Sequence, residues 1–458
     1  MPASPIPVGP DTSGTPGTFR GDACPGALRL HAADDGFLAR VRIPGGVLDA
    51  AGARALSDAA RRLGDGSLHL TSRGNVQLRG VRDGCGGELA ELLGAAGLLP
   101  SPAHERVRNV VASPMSGLDG LGSVDVRAWL TGLDAAVLAS SVTPALSGRF
   151  LFGLDDGRGD VAGLGPDVLL RGCPDGSAVL VVGGAEFGVR YEDAARAAVL
   201  AAEVFVEAAR DVPARRVWRV RELGLPAPEL TTRLHAALTE GGIETSPARG
   251  AGNCATSHDG VARADQHATG NGAKATGLRP GPRSSIAGGA EFDGPSARTP
   301  LPPEGAEFDG PSAEAGAAGQ GAGALTVTPR FGAVTAAQWQ ALTDLAAQLP
   351  PGELRLTPWK DIVIPGATTA QAAELTRTGL ETDPASPWTR VGACIGRPGC
   401  AKAHADVRAD ATAQHPHLPT YWSGCERRCG HPAGPYVDVV ARPDGTYAVT
   451  TERAEPRV

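Results

Sequence analysis

Two stretches of this chain share one pattern and decide its fold. Residues 45–80 read GGVLDAAGARALSDAARRLGDGSLHLTSRGNVQLRG, and residues 331–366 read FGAVTAAQWQALTDLAAQLPPGELRLTPWKDIVIPG. Aligned without a gap at an offset of 286 residues, they are identical at 13 of 36 positions. One supersecondary unit therefore occurs twice in the chain.

Each copy predicts a helix, a turn and paired strands. Asp49 and Thr335 are candidate N-caps, and apolar residues then recur at helical spacing. A GDG or PPG turn follows, and after it the alternation typical of a β-hairpin. Because each unit has an apolar face that needs cover, we expect the copies to pack about a pseudo-twofold axis and to leave a cleft between them.

The remaining residues divide around these copies. Residues 247–324 are rich in Gly, Ala, Pro and Ser and contain GAEFDGPSA twice, a composition that predicts a disordered linker. We therefore predict a flexible tail at 1–20, a first half-domain at 21–100, a first α/β domain at 101–246, the linker, a second half-domain at 325–384 and a second, shorter cysteine-bearing domain at 385–458.

Composition excludes several classes of partner. The chain has 458 residues, a net charge of −7 and 42% apolar residues, so it has no basic field for nucleic acid and no basic block for a membrane surface. It shows no apolar run of transmembrane length and no signal-peptide pattern at its start. We expect a cytoplasmic protein whose thiols stay reduced, with no nucleic-acid or membrane partner.

Four cysteines near the C-terminal end form two close pairs. Cys394 and Cys400 have five residues between them, and Cys425 and Cys429 have three. Four thiolates can hold zinc or a [4Fe–4S] cluster, and zinc knuckles usually have shorter spacings than the first pair. Glycines flank both pairs and let backbone amides approach sulfur, which favours the cluster. Spacing alone leaves both metals open.

This pairing, placed after a duplicated unit, resembles the nitrite/sulfite reductase superfamily. Three further stretches are similar to its basic anion-binding motifs: TSRGNVQLRG, RVRNVVASP and LSGRFLFGLDD. The resemblance implies a [4Fe–4S] cluster on the four cysteines and an α+β fold. That fold comprises duplicated ferredoxin-like half-domains and reductase-type α/β domains in pseudo-twofold arrangement. It implies substrate-binding roles for Arg73, Arg108 and Arg149.

The third motif departs from the reductases. Sulfite reductases carry two lysines there, separated by one residue, whereas this chain has Arg149 and Leu151. Together with GACPGALRLHAADDGFLARVRIPGG near the start and CGHP after the last cysteine, this resembles the precorrin-3B synthase branch. That branch implies an oxygen-dependent monooxygenase of aerobic cobalamin biosynthesis. Its reaction hydroxylates precorrin-3A at carbon 20 and forms a γ-lactone.

The same resemblance implies cofactors and partners. Besides the cluster it implies a mononuclear non-haem iron, an acidic tetrapyrrole substrate, molecular oxygen and an NADH- or ferredoxin-linked electron donor. A flat macrocycle fringed with carboxylates needs cations at its rim, and arginine suits carboxylate because its planar fork binds both oxygens. Arg79 and Arg106 are further candidates for that rim, or ordinary surface arginines.

Two other functions remain open from the sequence. One is a sirohaem-dependent sulfite or nitrite reductase, in which the macrocycle is a cofactor. The other is a non-catalytic tetrapyrrole carrier. Cys24 is either a site residue or a small buried one. Five polar residues near the cysteines could bind the mononuclear iron or lie on an ordinary surface, namely His404, Asp406, His415, His417 and His431.

Overall fold

The structure is a computed structural model that describes residues 24–212, 216–247, 323–413, 418–432 and 434–452. These ranges belong to one compact unit and contain eight α-helices and nineteen β-strands; the strands form four sheets. The predicted tail, and the predicted linker except at its two ends, lie outside the described residues. No helix in the described ranges is long and apolar enough to cross a bilayer.

The elements follow the chain in four groups. The first half-domain contains β1 (His31–Ala33), β2 (Gly36–Val41), β3 (Val47–Asp49), α1 (Ala50–Leu63), β4 (Leu68–Leu70), β5 (Val76–Val81) and α2 (Gly86–Ala95). The next region contains β6 (Val110–Ala112), α3 (Arg127–Ala139), β7 (Phe152–Asp155), β8 (Val168–Gly172), β9 (Ala178–Val182), β10 (Ala185–Val189), α4 (Ala194–Arg210), α5 (Ala227–Glu240) and β11 (Ser246–Pro247). The second half-domain contains β12 (Ala324–Val327), β13 (Ala333–Val334), α6 (Ala336–Gln348), β14 (Glu353–Leu356), β15 (Ile362–Pro365) and α7 (Thr369–Arg377). The last region contains β16 (Val391–Ala393), α8 (Val407–Asp410), β17 (Thr420–Ser423), β18 (Tyr436–Ala441) and β19 (Tyr447–Glu452).

Both repeated helices begin at the predicted caps. The Asp49 carboxylate accepts from the Gly52 amide at 2.6 Å and so satisfies one of the first unpaired N–H groups of α1. At α6 the Thr335 hydroxyl accepts from the Gln338 amide at 3.3 Å, and the Gln338 side chain accepts from the Thr335 amide at 3.0 Å. This reciprocal pair is a capping box.

The two half-domains exchange strands. In the first sheet, ordered β1-β2-β5-β4-β13, the last strand comes from the second half-domain; in the sheet β12-β15-β14-β3 the last strand comes from the first. Leu354 pairs with Leu48 in one sheet and Val334 with Leu68 in the other. Because 48 and 334, like 68 and 354, are equivalent positions of the repeat, the exchange is reciprocal. The predicted pseudo-twofold packing of the two copies is confirmed.

One core lies between the exchanged sheets and the two repeated helices. Leu56 on α1 and Leu342 on α6 are equivalent positions, and both are fully buried in one apolar cluster together with Trp339. A buried leucine stabilises the fold by about 2 kcal/mol relative to an exposed one. The halves are therefore parts of one domain rather than two domains in contact.

The third sheet brings distant segments of the first α/β region to one edge. Its order is β11-β10-β9-β8-β7-β6, and β6, β7 and β8 run parallel. The amide of Phe152, at the start of β7, donates to the carbonyl of Asn109, just before β6, at 3.0 Å. Neighbouring parallel strands start at the same edge, so residues 108–109 and 149–151 meet there.

The last sheet carries the cysteine loops. Its order is β16-β17-β18-β19; β16, β17 and β18 are parallel and β19 is antiparallel to β18. Cys394 directly follows β16, and Cys425 comes two residues after β17. The carboxyl ends of neighbouring parallel strands lie at one edge, which places the two cysteine pairs next to each other although they are far apart in the sequence.

Candidate functional site: a cysteine cluster and an arginine cleft

The cysteine loops are held against each other by backbone contacts. The Cys394 amide donates to the Trp422 carbonyl at 3.0 Å, and the Gly424 amide donates to the Cys394 Sγ at 3.1 Å. The Tyr421 hydroxyl donates to the Cys429 carbonyl at 2.5 Å. These contacts join the first pair to the second at the ends of β16 and β17.

The charges of the four cysteines act on one another. Burial raises the pKa of the Cys429 thiol, and negative charge on Cys425, Cys394 and Cys400 raises it further. Like charges have this effect only when they are close together. The four cysteines predicted to bind metal thus lie in neighbouring loops, with Cys429 exposed and the other three half-buried.

These residues fit an iron–sulfur cluster in donor chemistry and in backbone shape. An amide that donates to a ligand sulfur, as Gly424 does to Cys394, is a typical neighbour of such clusters. A Cβ on Gly424 would lie 2.7 Å from the Ala403 Cβ and 3.5 Å from the Cys394 sulfur, so only glycine allows this approach. In the part of the chain that the structure describes, no three His, Cys, Asp or Glu side chains are arranged around a single metal-ion position.

The loop between Cys394 and Cys400 is anchored to the first half-domain. Arg79 binds both carboxylate oxygens of Asp35 at 2.8 Å and donates to the Gly399 carbonyl at 3.2 Å. The Ala401 amide donates to the Asp34 carboxylate at 2.7 Å. Arg79 is buried, and its contacts hold this loop in place, so it does not serve as a cation at the substrate rim.

Arg73 and Arg149, two of the three predicted substrate-binding arginines, lie side by side. The Arg73 guanidinium donates to the carbonyls of Gly148 at 3.2 Å and Arg149 at 3.1 Å. The exposed Arg149 guanidinium stacks on the Trp218 ring at 4.1 Å from the ring centroid. A stacked guanidinium keeps its N–H groups at its edge, where they can bind an anion.

Arg108, the third predicted arginine, has a protein partner of its own. Its Nε and Nη2 donate to the two Asp134 carboxylate oxygens at 2.7 and 2.8 Å, and Nη1 donates to the Leu98 carbonyl at 3.4 Å. The neighbouring Asn109 side chain donates to the Gly148 carbonyl at 3.4 Å, the same group that Arg73 binds. The structure thus joins Arg73 and Arg149 but commits the donors of Arg108 to Asp134.

Two further arginines, Arg40 and Arg42, lie near Arg73, and neither was among the predicted substrate-binding residues. Arg42 is only 3% exposed, and among the described residues none of its three guanidinium nitrogens has a hydrogen-bond partner. Burial, followed by the charges of Arg40 and Arg73, lowers the pKa of Arg42 to about 9. A buried unpaired cation is costly, and a bound anion removes that cost. The signal was present in ARVRIPGG, because residues two apart on an extended chain share a face.

The cations near Arg73 repel one another. Burial, and then the charge of Arg219, lowers the pKa of Arg73 to about 10. Arg219 itself is paired with Asp167 at 2.6 Å. We refer to Arg40, Arg42 and Arg73 as the arginine cluster. Its members repel one another in the ligand-free protein, and this repulsion favours an anionic ligand.

Leu151 occupies an apolar site. It is 3% exposed and packs with Val111 and Val161. The position that follows Arg149 by two residues therefore points into the core and contributes no charge to the cleft.

The remaining candidates take ordinary structural positions, or lie outside the described residues. His404 is exposed, and Asp406 caps α8 by accepting from the Ala409 amide at 3.2 Å. The His431 ring stacks on Tyr436 with centroids 5.7 Å apart. His415 and His417 lie outside the described residues. The structure thus shows no site that His404, Asp406 and His431 share.

Comparison with known proteins places the fold. The nitrite/sulfite reductase ferredoxin-like half domain matches residues 30–96 and 317–380. A solved structure of the NirA protein of Mycobacterium tuberculosis superposes with a TM-score of 0.57 at 18% identity, over 91% of this chain and 73% of that one. The similarity to this structure concerns the fold alone.

Curated relatives carry two different activities. Ferredoxin–nitrite reductase of Synechococcus elongatus is 35% identical over 128 residues, 27% of this chain and 25% of the relative. Precorrin-3B synthase of a Sinorhizobium species is 31% identical over 145 residues, 32% of this chain and 31% of the relative. The matched parts thus span between a quarter and a third of these relatives.

Proposed function

Because this chain is a member of the nitrite/sulfite reductase superfamily, we propose that it is the monooxygenase that converts precorrin-3A into precorrin-3B. The reaction hydroxylates carbon 20 and closes a γ-lactone, a step of aerobic cobalamin biosynthesis. The chain has the fold and the half-domains of a family of oxidoreductases whichever of the family's reactions it catalyses. The choice among the family's reactions rests on the cleft.

The observation that carries the proposal is the environment of Leu151. Sulfite reductases resembling this chain have a second lysine at that position. Here the side chain is buried between Val111 and Val161. The six-electron reduction of a small oxyanion needs several cations around one anion and a supply of protons. A cleft that has lost one of those cations supports a larger substrate better than it supports sulfite or nitrite.

The arginine cluster supports an acidic tetrapyrrole as that substrate. Among the described residues the Arg42 guanidinium nitrogens have no hydrogen-bond partner, and the exposed Arg149 guanidinium is stacked on Trp218. Carboxylates are the matching ligands, since a guanidinium binds both oxygens of one carboxylate. In a chain of net charge −7 a local group of cations also guides an acidic ligand to one place on the surface.

A [4Fe–4S] cluster held by Cys394, Cys400, Cys425 and Cys429 would supply electrons one at a time. Cys429 is the exposed member of the four, and we propose that an NADH- or ferredoxin-linked donor reaches the cluster on this side. Arg79 and Asp35 hold the loop of Cys400 next to β2, the strand that leads to the arginine cluster. The electron source and the anion site are thus joined through one short segment. We assign the reaction to the cytoplasm.

The test is turnover with a labelled oxidant. Purified, cluster-loaded protein given precorrin-3A, a reductant and ¹⁸O₂ should yield the hydroxylated lactone with one labelled oxygen at carbon 20. Product without the label, or no product from protein with full iron and sulfide content, would overturn the proposal. The same preparation should show only the broad absorption of a cluster.

The alternative function is a sirohaem-dependent sulfite or nitrite reductase. The 35% identity to a ferredoxin–nitrite reductase favours it, and the arginine cluster could bind the carboxylates of a permanent macrocycle. Sirohaem has strong Soret and red bands. Their presence in the purified protein, together with sulfite or nitrite consumption, would establish this alternative.

A further inference from the structure

Arg408 of α8 donates a hydrogen bond to the backbone of a cysteine of the cluster site. Its Nε lies 3.1 Å from the Cys394 carbonyl oxygen, and the Cys394 amide is bound in turn to the Trp422 carbonyl at 3.0 Å. Arg408 is half-buried. Its guanidinium group is therefore held directly beside the first of the four cysteines.

The packing of α8 determines where the Arg408 side chain lies. Val407, the preceding residue, is fully buried in an apolar cluster with residues of β16 and β18. At the end of the helix the Asp410 carboxylate accepts from the Tyr447 hydroxyl of β19 at 2.6 Å. These contacts fix the helix on the sheet that carries the cysteine loops, so Arg408 is a rigidly placed cation.

The charges around Arg408 agree with this position. Burial lowers the pKa of Arg408; a negative charge on Cys394 raises it, and the charge of Arg79 lowers it. The carboxylate of Asp406 has a weaker effect than either. Lys360 is a further cation in this region, since burial and then the charge of Arg408 lower its pKa. The sulfur ligand Cys394 is thus the anion that acts on Arg408 most strongly.

Arg428, in the loop of the second cysteine pair, has a different environment. Its Nε donates to the Asp438 carboxylate at 2.6 Å, and its Nη1 donates to the Glu426 carboxylate at 2.8 Å. These two carboxylates offset its charge. Arg408 instead donates to a neutral carbonyl oxygen, so its positive charge acts on the cluster site.

Reduction of a [4Fe–4S] cluster by one electron adds one negative charge to it. A fixed cation at a partly buried site stabilises that added charge, because the potential of a cluster depends on the charges and hydrogen bonds around it. We propose that Arg408 is a positioning residue of the redox site, whose guanidinium charge raises the reduction potential of the cluster. This rests on the assignment of the four cysteines as cluster ligands, which the proposed monooxygenase and the alternative reductase share.

A redox titration of the cluster-loaded protein without substrate tests this. Dithionite is the reductant, and the electron paramagnetic resonance signal of the reduced cluster gives the midpoint potential. Arg408→Gln removes the charge but keeps a donor for the Cys394 carbonyl, whereas Arg408→Lys keeps the charge. Iron and acid-labile sulfide are measured first, and both variants should retain them. Loss of the cluster from either variant would show a role in assembly of the site and would overturn the proposal.

At the midpoint potential of the parent, Arg408→Gln should lower the ratio of reduced to oxidised cluster at least threefold. This corresponds to about 30 mV for a one-electron couple. Arg408→Lys should stay within twofold of the parent. A change of less than threefold in Arg408→Gln, or an equal change in Arg408→Lys, would overturn the proposal.

Arg397→Gln is the matched control in the loop of the first cysteine pair. The Arg397 Nε also donates to a backbone carbonyl, that of Ala403 at 2.7 Å, but Arg397 is exposed, so water screens its charge. This variant should change the ratio of reduced to oxidised cluster less than twofold. A change as large as that in Arg408→Gln would contradict a special role for the half-buried cation.

The titration involves no turnover, so its failure and that of the proposed monooxygenase are distinguishable. The expected potential shift without any product from precorrin-3A would overturn the monooxygenase and leave this proposal standing. Product formation with unchanged potentials would overturn this proposal alone. A parent protein that holds no iron and sulfide would overturn both.

Discussion

The indole Nε1 of Trp339 donates to the backbone carbonyl of Ala53 at 2.7 Å, and these two residues are equivalent positions of the repeated unit. The bond joins α6 to α1 across the pseudo-twofold axis. At the axis the repeat cannot be symmetric, because two tryptophans would not fit where one tryptophan faces one alanine. Ala53 and Trp339 are both fully buried.

Trp339→Phe should lower the free energy of unfolding by about 1–3 kcal/mol, because it removes the indole donor of this buried hydrogen bond and leaves part of the space of the larger ring empty. Urea denaturation followed by circular dichroism measures it. Trp388→Phe, at a half-buried position outside this core, is the control and should cost less. Equal losses in the two variants would contradict a special role for the bond.

Asp361→Asn should change the pH dependence of stability. Burial raises the pKa of Asp361 to about 7, well above the ordinary value of 3.8, although the Thr328 hydroxyl donates to it at 2.6 Å. An unfolded chain loses this proton near pH 4 and the folded chain only near pH 7. The carboxyl therefore makes no difference below pH 4, and it lowers stability progressively as pH rises from 4 to 7.

The variant, whose residue is the one found at the equivalent position Asn75, should be more stable than the parent by about 1–3 kcal/mol at pH 8 and equal to it at pH 4. Thermal unfolding at both pH values checks this. Asp344→Asn, at an exposed site of α6, should show no such difference. A gain at pH 4 as large as that at pH 8 would refute the titration argument.

Replacing a cluster cysteine should remove the cluster before it affects the fold. Cys394→Ala deletes the sulfur that the Gly424 amide binds, and three thiolates hold a [4Fe–4S] cluster less tightly than four. Iron and acid-labile sulfide should fall together, with loss of the broad visible absorption. Cys173→Ala, at a buried position in the first α/β region, should keep full iron content. Unchanged iron in the Cys394 variant would refute the ligand assignment.

Arg73 and Arg149 should contribute to ligand binding, whereas Arg108 should contribute mainly to stability. Arg73→Ala or Arg149→Ala should weaken binding of a porphyrin octacarboxylate by about 1.5–3 kcal/mol, which is roughly 10- to 150-fold in Kd. Arg108→Ala should mainly reduce stability, because it leaves Asp134 unpaired. Fluorescence titration and urea denaturation separate the two effects. Arg196→Ala, at an exposed site of α4, is the control for net charge. An increase in Kd for Arg108→Ala as large as that for Arg73→Ala would contradict the different roles assigned to these two arginines.

Leu151→Lys should destabilise the protein rather than convert it into a reductase. The new ammonium group would have to leave water for the site between Val111 and Val161, at a cost of several kcal/mol. The midpoint of urea denaturation should fall sharply, while Leu151→Met should change it by less than about 1.5 kcal/mol. Sulfite-dependent electron consumption by the lysine variant would refute our interpretation of this position.

The sequence by itself determined the features that depend on short stretches. The gap-free repeat predicted two equivalent helix-and-hairpin units, and the caps Asp49 and Thr335 predicted where α1 and α6 begin, because capping is a contact between residues three apart. The cysteine spacing and the basic motifs led to the superfamily in the same way, without any tertiary contact.

Tertiary structure alone decided how these parts meet. No local pattern says that β3 and β13 cross to the opposite half-domain, because strand pairing depends on which edge is free when the halves pack. Nor does any local pattern say that Arg108 pairs with Asp134 while Arg42 stays buried with no hydrogen-bond partner in the described part of the chain. The sequence shows an arginine in the same way whether its guanidinium forms a salt bridge or binds an anionic ligand. Its role is set by whether a carboxylate of the fold reaches it, and only the packed chain brings that carboxylate into range or leaves the place open for a ligand.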